Sequence, residues 1–124
     1  MCNENLIVKS IMKKFIYKIC SKPEWLSFKK NLFFNGSKQD TIDGYIHFSE
    51  KNQVKSTLNK HYFKKSKLIL LKVETAKLEN LVWEKSTEGV LFPHLYSRLN
   101  LQDVKNNYQI YLKKNGSHYF LSKY

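Results

Sequence analysis

Residues 43–49, Asp-Gly-Tyr-Ile-His-Phe-Ser, place an aromatic ring, an imidazole and a hydroxyl at alternate positions. Successive side chains of a β-strand point to opposite faces, so Tyr45, His47 and Ser49 share one face while the apolar residues between them take the other. The apolar face then serves the core, and the polar face is free to contact a ligand. The stretch predicts a strand that forms the floor of a binding cleft.

A second segment, Phe-Pro-His-Leu-Tyr at residues 92–96, repeats the arrangement, because His94 is followed two positions later by Tyr96. It is expected to be extended, since the residue before a proline is disfavoured in the helical region. Two interpretations stay open for each histidine: contact with a ligand, or a core imidazole bonded to a backbone carbonyl. We predict that His47 and His94 face one pocket, with Tyr96 and Gln53 at its edge.

The composition indicates one globular domain spanning residues 1–124, with 42% hydrophobic and 15% aromatic residues. Met12 followed by two lysines and a strand-like run resembles a second start, so residues 1–13 are predicted to be an N-terminal leader, dispensable up to residue 11. No apolar run approaches the roughly 18 residues that span a bilayer, and lysines interrupt any signal-peptide core. Cys2 and Cys20 match no disulfide framework or zinc spacing. We expect a cytoplasmic protein without a membrane partner.

The net charge of +12 raises the possibility of RNA binding, because lysines neutralise phosphates and release counterions. The detail weakens that interpretation. Arg98 is the single arginine among 22 basic residues, and the lysines are spread over the whole chain. Nucleic-acid binders more often cluster charge and use arginine for bidentate contacts. A basic module that binds RNA remains the alternative function.

Several local patterns predict strands. Residues 14–19 alternate in polarity, residues 67–74 form an apolar run typical of a central strand, and residues 81–85 read as a further strand. Asn115-Gly116 predicts a two-residue turn in a hairpin at residues 106–124.

Capping residues predict two helices. Ser21 caps a short helix that carries Pro23 and Glu24 in its first turn. Ser49 is expected to cap a second helix, whose apolar face is formed by Val54, Leu58 and Tyr62. Between these helices, residues 35–44 are predicted to be a polar loop.

The candidate site is predicted from residue chemistry. His47, His94 and Glu84 are the candidate catalytic residues, since imidazoles transfer protons and bond ribose or phosphate oxygens. The candidate binding residues are Lys18, Tyr45, Ser49, Gln53, Tyr96 and Arg98. Arg98 follows Tyr96 by two residues, so an extended segment would turn its guanidinium toward the same side to clamp a phosphate. The histidine spacing supports no metal site, and no metal is predicted.

An ordered series of motifs between residues 15 and 105 resembles a small bacterial family, domain of unknown function 952. The matching positions are Ile16-Tyr17-Lys18-Ile19, Glu24-Trp25, Gly36-Ser37, Asp40, residues 43–49, Gln53, Thr57, Leu70-Leu71, Trp83-Glu84 and residues 92–96. The resemblance implies a compact single-domain α+β fold with a mostly antiparallel split sheet and two or three helices. It implies similarity in fold to ADP-ribosylating enzymes and RNA 2′-phosphotransferases, which makes NAD a candidate cofactor but brings no established activity.

Two departures from the family pattern bear on function. Lys18 stands where the family often has a histidine, and ADP-ribosyltransferases use a first-strand histidine or arginine to hold NAD. Ser97 replaces a glycine after the last motif. After Glu88 the chain has one acid, Asp103, so Glu84 or Glu88 would have to stabilise a cationic ribose. We therefore expect binding of NAD or an ADP-ribose-like nucleotide in a cleft lined by histidine and tyrosine, with ADP-ribosyl or phosphoryl transfer as its extension.

Overall fold

A computed structural model describes residues 13–124 and shows a compact α+β fold in which every described strand pair is antiparallel. The helices are α1 (Lys22–Asn31), α2 (Lys38–Asp43) and α3 (Val54–His61). The strands are β1 (Phe15–Ser21), β2 (Phe33–Phe34), β3 (Ile46–His47), β4 (Leu68–Glu74), β5 (Leu81–Lys85), β6 (Leu91–Leu95), β7 (Leu99–Asn100), β8 (Val104–Leu112) and β9 (His118–Tyr119). The predicted leader lies outside the described residues except for Lys13, whose carbonyl accepts a hydrogen bond from Thr75 Oγ1 at 2.8 Å.

The four-stranded sheet has the order β1-β4-β8-β9 and divides two apolar clusters. On one face, Trp25 and Phe28 of α1 pack in a cluster that includes Leu71. On the other, Val54 and Leu58 of α3 pack in a second cluster with strand residues. Helices cover both faces of β4, which confirms the prediction of a central strand at residues 67–74.

A three-stranded sheet of order β3-β6-β5 carries the two histidine segments. Ile46 pairs with Leu95, and Leu95 pairs with Leu81, so these three buried side chains share one face and join the core next to α1. The neighbouring row of partners, His47 with His94, therefore lies on the opposite face. The predicted alternation of apolar and polar faces is confirmed in these strands.

The predicted loop at residues 35–44 is wrong, because residues 38–43 form α2. Ser37 Oγ accepts a hydrogen bond from the amide of Asp40, and the Asp40 carboxylate accepts one from the amide of Ser37. This reciprocal arrangement is a capping box, which stabilises the first turn of even a short helix.

The predicted strand at residues 45–49 is shorter than expected, since only Ile46–His47 pairs with β6. Ser49 forms an isolated bridge with Tyr17, and its hydroxyl lies 3.0 Å from Thr57 Oγ1. Ser49 therefore does not cap a helix. Instead, a 3₁₀ turn at Lys51–Gln53 leads into α3, with the amide of Glu50 bonded to Gln53 Oε1 at 2.8 Å.

The C-terminal hairpin also differs from its prediction. Its first strand, β8, begins at Val104 and pairs along β4, so it belongs to the four-stranded sheet. Its turn has three residues, because Lys113 and Ser117 still bond to each other and Gly116 adopts a φ of 97°.

No helix within residues 13–124 is long and apolar enough to cross a membrane. Cys20 lies in the core, where burial raises the pKa of its thiol to about 12. Cys2 lies outside the described residues.

Candidate functional site

The pairing of β3 with β6 places His47 directly opposite His94, with their ring centroids 5.5 Å apart. Tyr45 lies over both imidazoles, at 4.0 Å from His94 and 4.6 Å from His47. The Tyr96 ring lies 5.2 Å from that of Tyr45. The predicted meeting of the two histidines and the two tyrosines on one face is confirmed.

The site is a surface cluster of rings. Two cavities of the described chain lie away from this cluster. One, of about 340 Å³, adjoins the start of α1, and the other, of about 250 Å³, lies between α1 and β2. At the predicted cleft, the ring of Tyr45 packs directly on that of His94.

The first imidazole is held by Asp40, which we call the inner pair. His47 Nδ1 lies 2.6 Å from Asp40 Oδ1, and the amide of His47 donates to the same oxygen at 3.2 Å. Asp40 is buried, with only 2% of its surface exposed to solvent. Burial alone would raise the pKa of Asp40, but the bond from His47 and the charge of Lys18 hold it well below its usual range. The inner carboxylate is therefore an anion at neutral pH.

Lys18 completes the charge balance of the inner pair. Its ammonium lies 2.7 Å from Asp40 Oδ2 and donates to the carbonyl of His47 at 3.0 Å. The side chain is buried. The prediction that Lys18 contacts a ligand phosphate is therefore corrected, because its charge is neutralised by Asp40 and is shielded from the surface.

Asp43 lies at the solvent side of the inner pair. Its Oδ2 is 3.0 Å from His47 Nε2, and its Oδ1 accepts a bond from Gln39. Both ring nitrogens of His47 thus face carboxylates, one on each side. This ring is fully engaged by the protein itself.

The second imidazole and its carboxylate form the outer pair. His94 Nδ1 lies 2.7 Å from Glu84 Oε1, and the same oxygen accepts a bond from the Tyr96 hydroxyl at 2.6 Å. These hydrogen bonds, the one from Tyr96 first, lower the pKa of Glu84, and the carboxylate raises the pKa of Tyr96 to about 12. The Glu84 side chain remains 39% exposed, so this carboxylate is held in place and still faces solvent.

Burial lowers the pKa of His94, and the attraction of Glu84 only partly offsets that effect. A neutral imidazole that faces a carboxylate carries its proton on the nitrogen nearest the carboxylate. His94 therefore donates from Nδ1 to Glu84 and keeps a lone pair on Nε2. That nitrogen has no hydrogen-bond partner within residues 13–124.

Three other predicted site residues do not join the cluster. Ser49 is buried and bonded to Thr57. Gln53 uses its amide to bridge the amide of Glu50 and the carbonyl of Leu91, which orients the start of α3. Arg98 stacks over the ring of Phe33 at 4.4 Å, because the chain bends after Tyr96 and does not stay extended.

Asp40 and Asp43 were missed as site residues. The Ser37-x-x-Asp40 spacing is a capping-box signal that would have predicted α2 and so placed both carboxylates on one short helix. No group of three or more histidine, cysteine, aspartate or glutamate side chains in the described part of the chain is arranged to hold a metal ion.

The fold and the site define a small α+β protein with paired imidazole–carboxylate groups on one face of a three-stranded sheet. The chain belongs to the family described as protein of unknown function DUF952, whose model matches residues 19–107.

Solved structures of CC0527 from Caulobacter crescentus are similar to this chain. Its crystal structure is 39% identical, with a TM-score of 0.80, over 85% of this chain and 93% of that one. A crystal structure of its double methionine variant has a TM-score of 0.80 at 38% identity, over the same shares of the two chains. The solution structure of CC0527 has a TM-score of 0.76 at 39% identity, over 85% of this chain and 91% of that one. No curated protein matches the chain.

Proposed function

We propose that the outer pair and the two tyrosines bind NAD or a related ADP-ribose-like nucleotide through its ribose. The observation that carries the proposal is His94 Nε2, which has no hydrogen-bond partner within residues 13–124 and lies beside a carboxylate that is ionised, oriented and open to solvent. A carboxylate and a neutral imidazole both accept hydrogen bonds from hydroxyl groups, and a ribose offers two adjacent hydroxyls.

The charge of the cluster favours the ribose over the phosphates as the bound group. Asp40, Asp43 and Glu84 supply three carboxylates, whereas Lys18 is the cation that faces them and is already paired with Asp40. A phosphate placed among these carboxylates would be repelled. The phosphates of the ligand therefore lie outside the cluster, toward exposed lysines.

The tyrosine rings supply a stacking surface for the base or the nicotinamide. Tyr45 is already stacked on His94, so its outer face is the surface that a planar ring meets. Aromatic stacking on a nucleobase is worth about 1–3 kcal/mol per base and tolerates different bases. This contact would fix the ring while Glu84 bonds the ribose.

The same geometry suits transfer at the ribose. As the nicotinamide leaves C1′ of the ribose with the bonding electron pair, the sugar becomes cationic and the Glu84 carboxylate stabilises it. An acceptor hydroxyl or water then attacks C1′, and His94 Nε2 takes its proton as general base. Phosphoryl transfer fits the proposal less well, because among residues 13–124 the lysine in the cluster, Lys18, is already paired with Asp40 and is not free to stabilise the phosphoryl oxygens.

The proposal includes kinship with the ADP-ribosylating enzymes and RNA 2′-phosphotransferases and action in the cytoplasm. It is supported by the division of the strands into separate antiparallel sheets and by the imidazole at the sheet face. Lys18, which takes the first-strand position in that comparison, acts through Asp40 and not on the ligand.

The test is a set of titrations with NAD, ADP-ribose, nicotinamide riboside and a short RNA, each at about 50 and 200 mM salt. NMR chemical shifts of the backbone amides report binding. We expect saturable shifts at Tyr45, Glu84 and His94 that persist at the higher salt. Nicotinamide riboside, which has no phosphate, is expected to shift the same amides.

His94→Ala is expected to weaken NAD binding at least about tenfold, which corresponds to 1.4 kcal/mol. The matched control is His118→Ala, since His118 bonds the carbonyl of Lys65 outside the cluster. Equal affinity of the two variants would refute the proposal. Diffuse shifts that appear only with RNA and vanish at the higher salt would favour the alternative, a basic RNA-binding module.

A further inference from the structure

One edge of the four-stranded sheet is open along most of β8. On one side β8 pairs with β4 from Val104 to Ile110, and on the other β9 pairs only with Tyr111 and Leu112. Within residues 13–124, the remaining length of β8 has no strand on its outer side.

The hydrogen-bond pattern shows which backbone groups face this open edge. The amide of Lys113 bonds the carbonyl of Ser117, so Lys113 points toward β9, and alternate residues of β8 do the same in an antiparallel ladder. On the side of β4 that faces β1, the amide of Lys22 donates a hydrogen bond to the carbonyl of Lys67. The odd-numbered residues of β4 therefore direct their N–H and C=O groups toward β1, and the even-numbered residues direct theirs toward β8. Both patterns lead to one result: Asn107 and Gln109 direct their N–H and C=O groups outward.

The C-terminal segment leaves this edge uncovered for a reason visible in its packing. Beyond β9, Phe120 and Tyr124 pack against the apolar cluster next to α3. The carbonyl of Tyr124 accepts a bond from the Tyr17 hydroxyl at 3.3 Å. The chain therefore turns onto the face of the sheet instead of continuing along β8.

A hollow of about 340 Å³ adjoins the open edge, and its lining includes Gln109 itself. Pro23 and Leu26 of α1 give it an apolar floor, and Leu26 is 52% exposed. Lys22 and Lys67 border the same hollow. In an extended segment, an apolar side chain with acidic side chains two residues before and after it, on the same face, is complementary to such a surface.

We propose that the open edge of β8 binds an extended acidic segment of another protein, which adds to the sheet as a strand. In such additions, main-chain hydrogen bonds supply affinity and a pocket beside the edge supplies specificity. Here Asn107 and Gln109 would bond the main chain, the hollow would take one apolar side chain, and Lys22 and Lys67 would meet acidic neighbours. Pairing with a second copy is disfavoured, because the chain carries a net charge of +12 and Lys105 lies in the edge strand.

The experiment titrates the full chain with a synthetic heptapeptide that has leucine at its centre, glutamate two residues before and two residues after it, and threonine at the other positions, so that the three recognised side chains share one face of the strand. We expect saturable shifts at the amides of Asn107 and Gln109, which also become protected from hydrogen exchange. A peptide with the same sequence but N-methylated at every residue cannot donate to the edge and is expected to bind at least about tenfold more weakly.

Two variant pairs complete the test. Asn107→Pro removes one outward N–H, whereas Asn107→Ala keeps it, so only the first is expected to weaken binding. Lys22→Glu with Lys67→Glu is expected to abolish the charge attraction, while Lys38→Glu with Lys55→Glu leaves binding within about twofold. Equal binding of the N-methylated peptide, or equal effects of the two double charge reversals, would overturn the proposal. Sedimentation showing a dimer that Asn107→Pro dissociates would overturn it in favour of self-pairing.

Discussion

The inner and outer pairs contain the same chemical groups, an imidazole bonded through Nδ1 to a carboxylate, yet their surroundings differ. The inner carboxylate, Asp40, is buried and bonded to Lys18 and to two backbone amides. The outer carboxylate, Glu84, is bonded to His94 and Tyr96 and still meets solvent.

This difference teaches that an imidazole–carboxylate pair is not by itself a functional signal. The inner pair joins α2 to β1 and β3, because Asp40 bonds residues of both strands. Its bonds are satisfied within the protein, so we infer a structural role for it. Within residues 13–124 the outer pair leaves one imidazole nitrogen and one carboxylate oxygen without a hydrogen-bond partner, which is the reason for proposing it as the ligand-binding pair.

The largest expected effect is the loss of the inner carboxylate. Asp40→Asn leaves the Lys18 ammonium buried without a counter-charge, which costs about 3–5 kcal/mol of the free energy of unfolding. Urea denaturation of the variant and the parent measures this difference. The matched control is Asp43→Asn, a more exposed carboxylate near the same imidazole, which is expected to cost at most about 1 kcal/mol. Equal losses for the two variants would contradict the structural role of Asp40.

The second prediction compares the two imidazoles. His47→Ala leaves Asp40 Oδ1 with one bond fewer in a buried environment, which costs about 1–3 kcal/mol. His94→Ala loses packing, because the His94 side chain is 10% exposed and stacked on Tyr45, but water can replace its hydrogen bond to the exposed Glu84, so it is expected to cost no more than His47→Ala. Thermal melts of both variants, each with an NAD titration, give the comparison. If His94→Ala is the more destabilised protein and binds NAD normally, the two roles are reversed.

The smallest expected effect is a pH dependence that comes from the outer pair. Burial holds the pKa of His94 below its unfolded value of about 6.5, so near and below that pH the unfolded chain binds more protons than the folded one. Stability is therefore expected to fall as pH falls through this region toward the folded pKa. His94→Gln removes this contribution, so the slope of unfolding free energy against pH becomes smaller in the variant. An unchanged slope would show that His94 is protonated equally in both states.

The lowered pKa of Asp40 affects stability in a different pH range from that of His94. One measurement of unfolding free energy against pH therefore separates the contributions of the two pairs. Its stabilisation is fully present above the unfolded value of about 3.9 and is lost as pH falls below it. The inner pair is therefore expected to govern acid unfolding, and the outer pair the slope near pH 6.

Local patterns predicted the parts of the fold that depend on neighbouring residues. Ser21 caps α1 as expected and forms a capping box with Glu24, and residues 68–74 form the expected central strand. The alternation around His47 correctly separated an apolar face from a polar one. The prediction failed for α2, because the short polar helix carries no apolar periodicity and its stability comes from the bonds of Asp40.

The sequence by itself determined that His47 and His94 stand on strand faces opposite to core residues, since alternation is a property of the extended backbone. Only the tertiary structure decided which imidazole keeps a ring nitrogen without a hydrogen-bond partner among residues 13–124. That decision depends on Asp40, seven residues before His47, and on Lys18, which reaches Asp40 from the first strand. Burial and long-range hydrogen bonds set the free bonding capacity of each group, and neither is encoded in the spacing of residues along the chain.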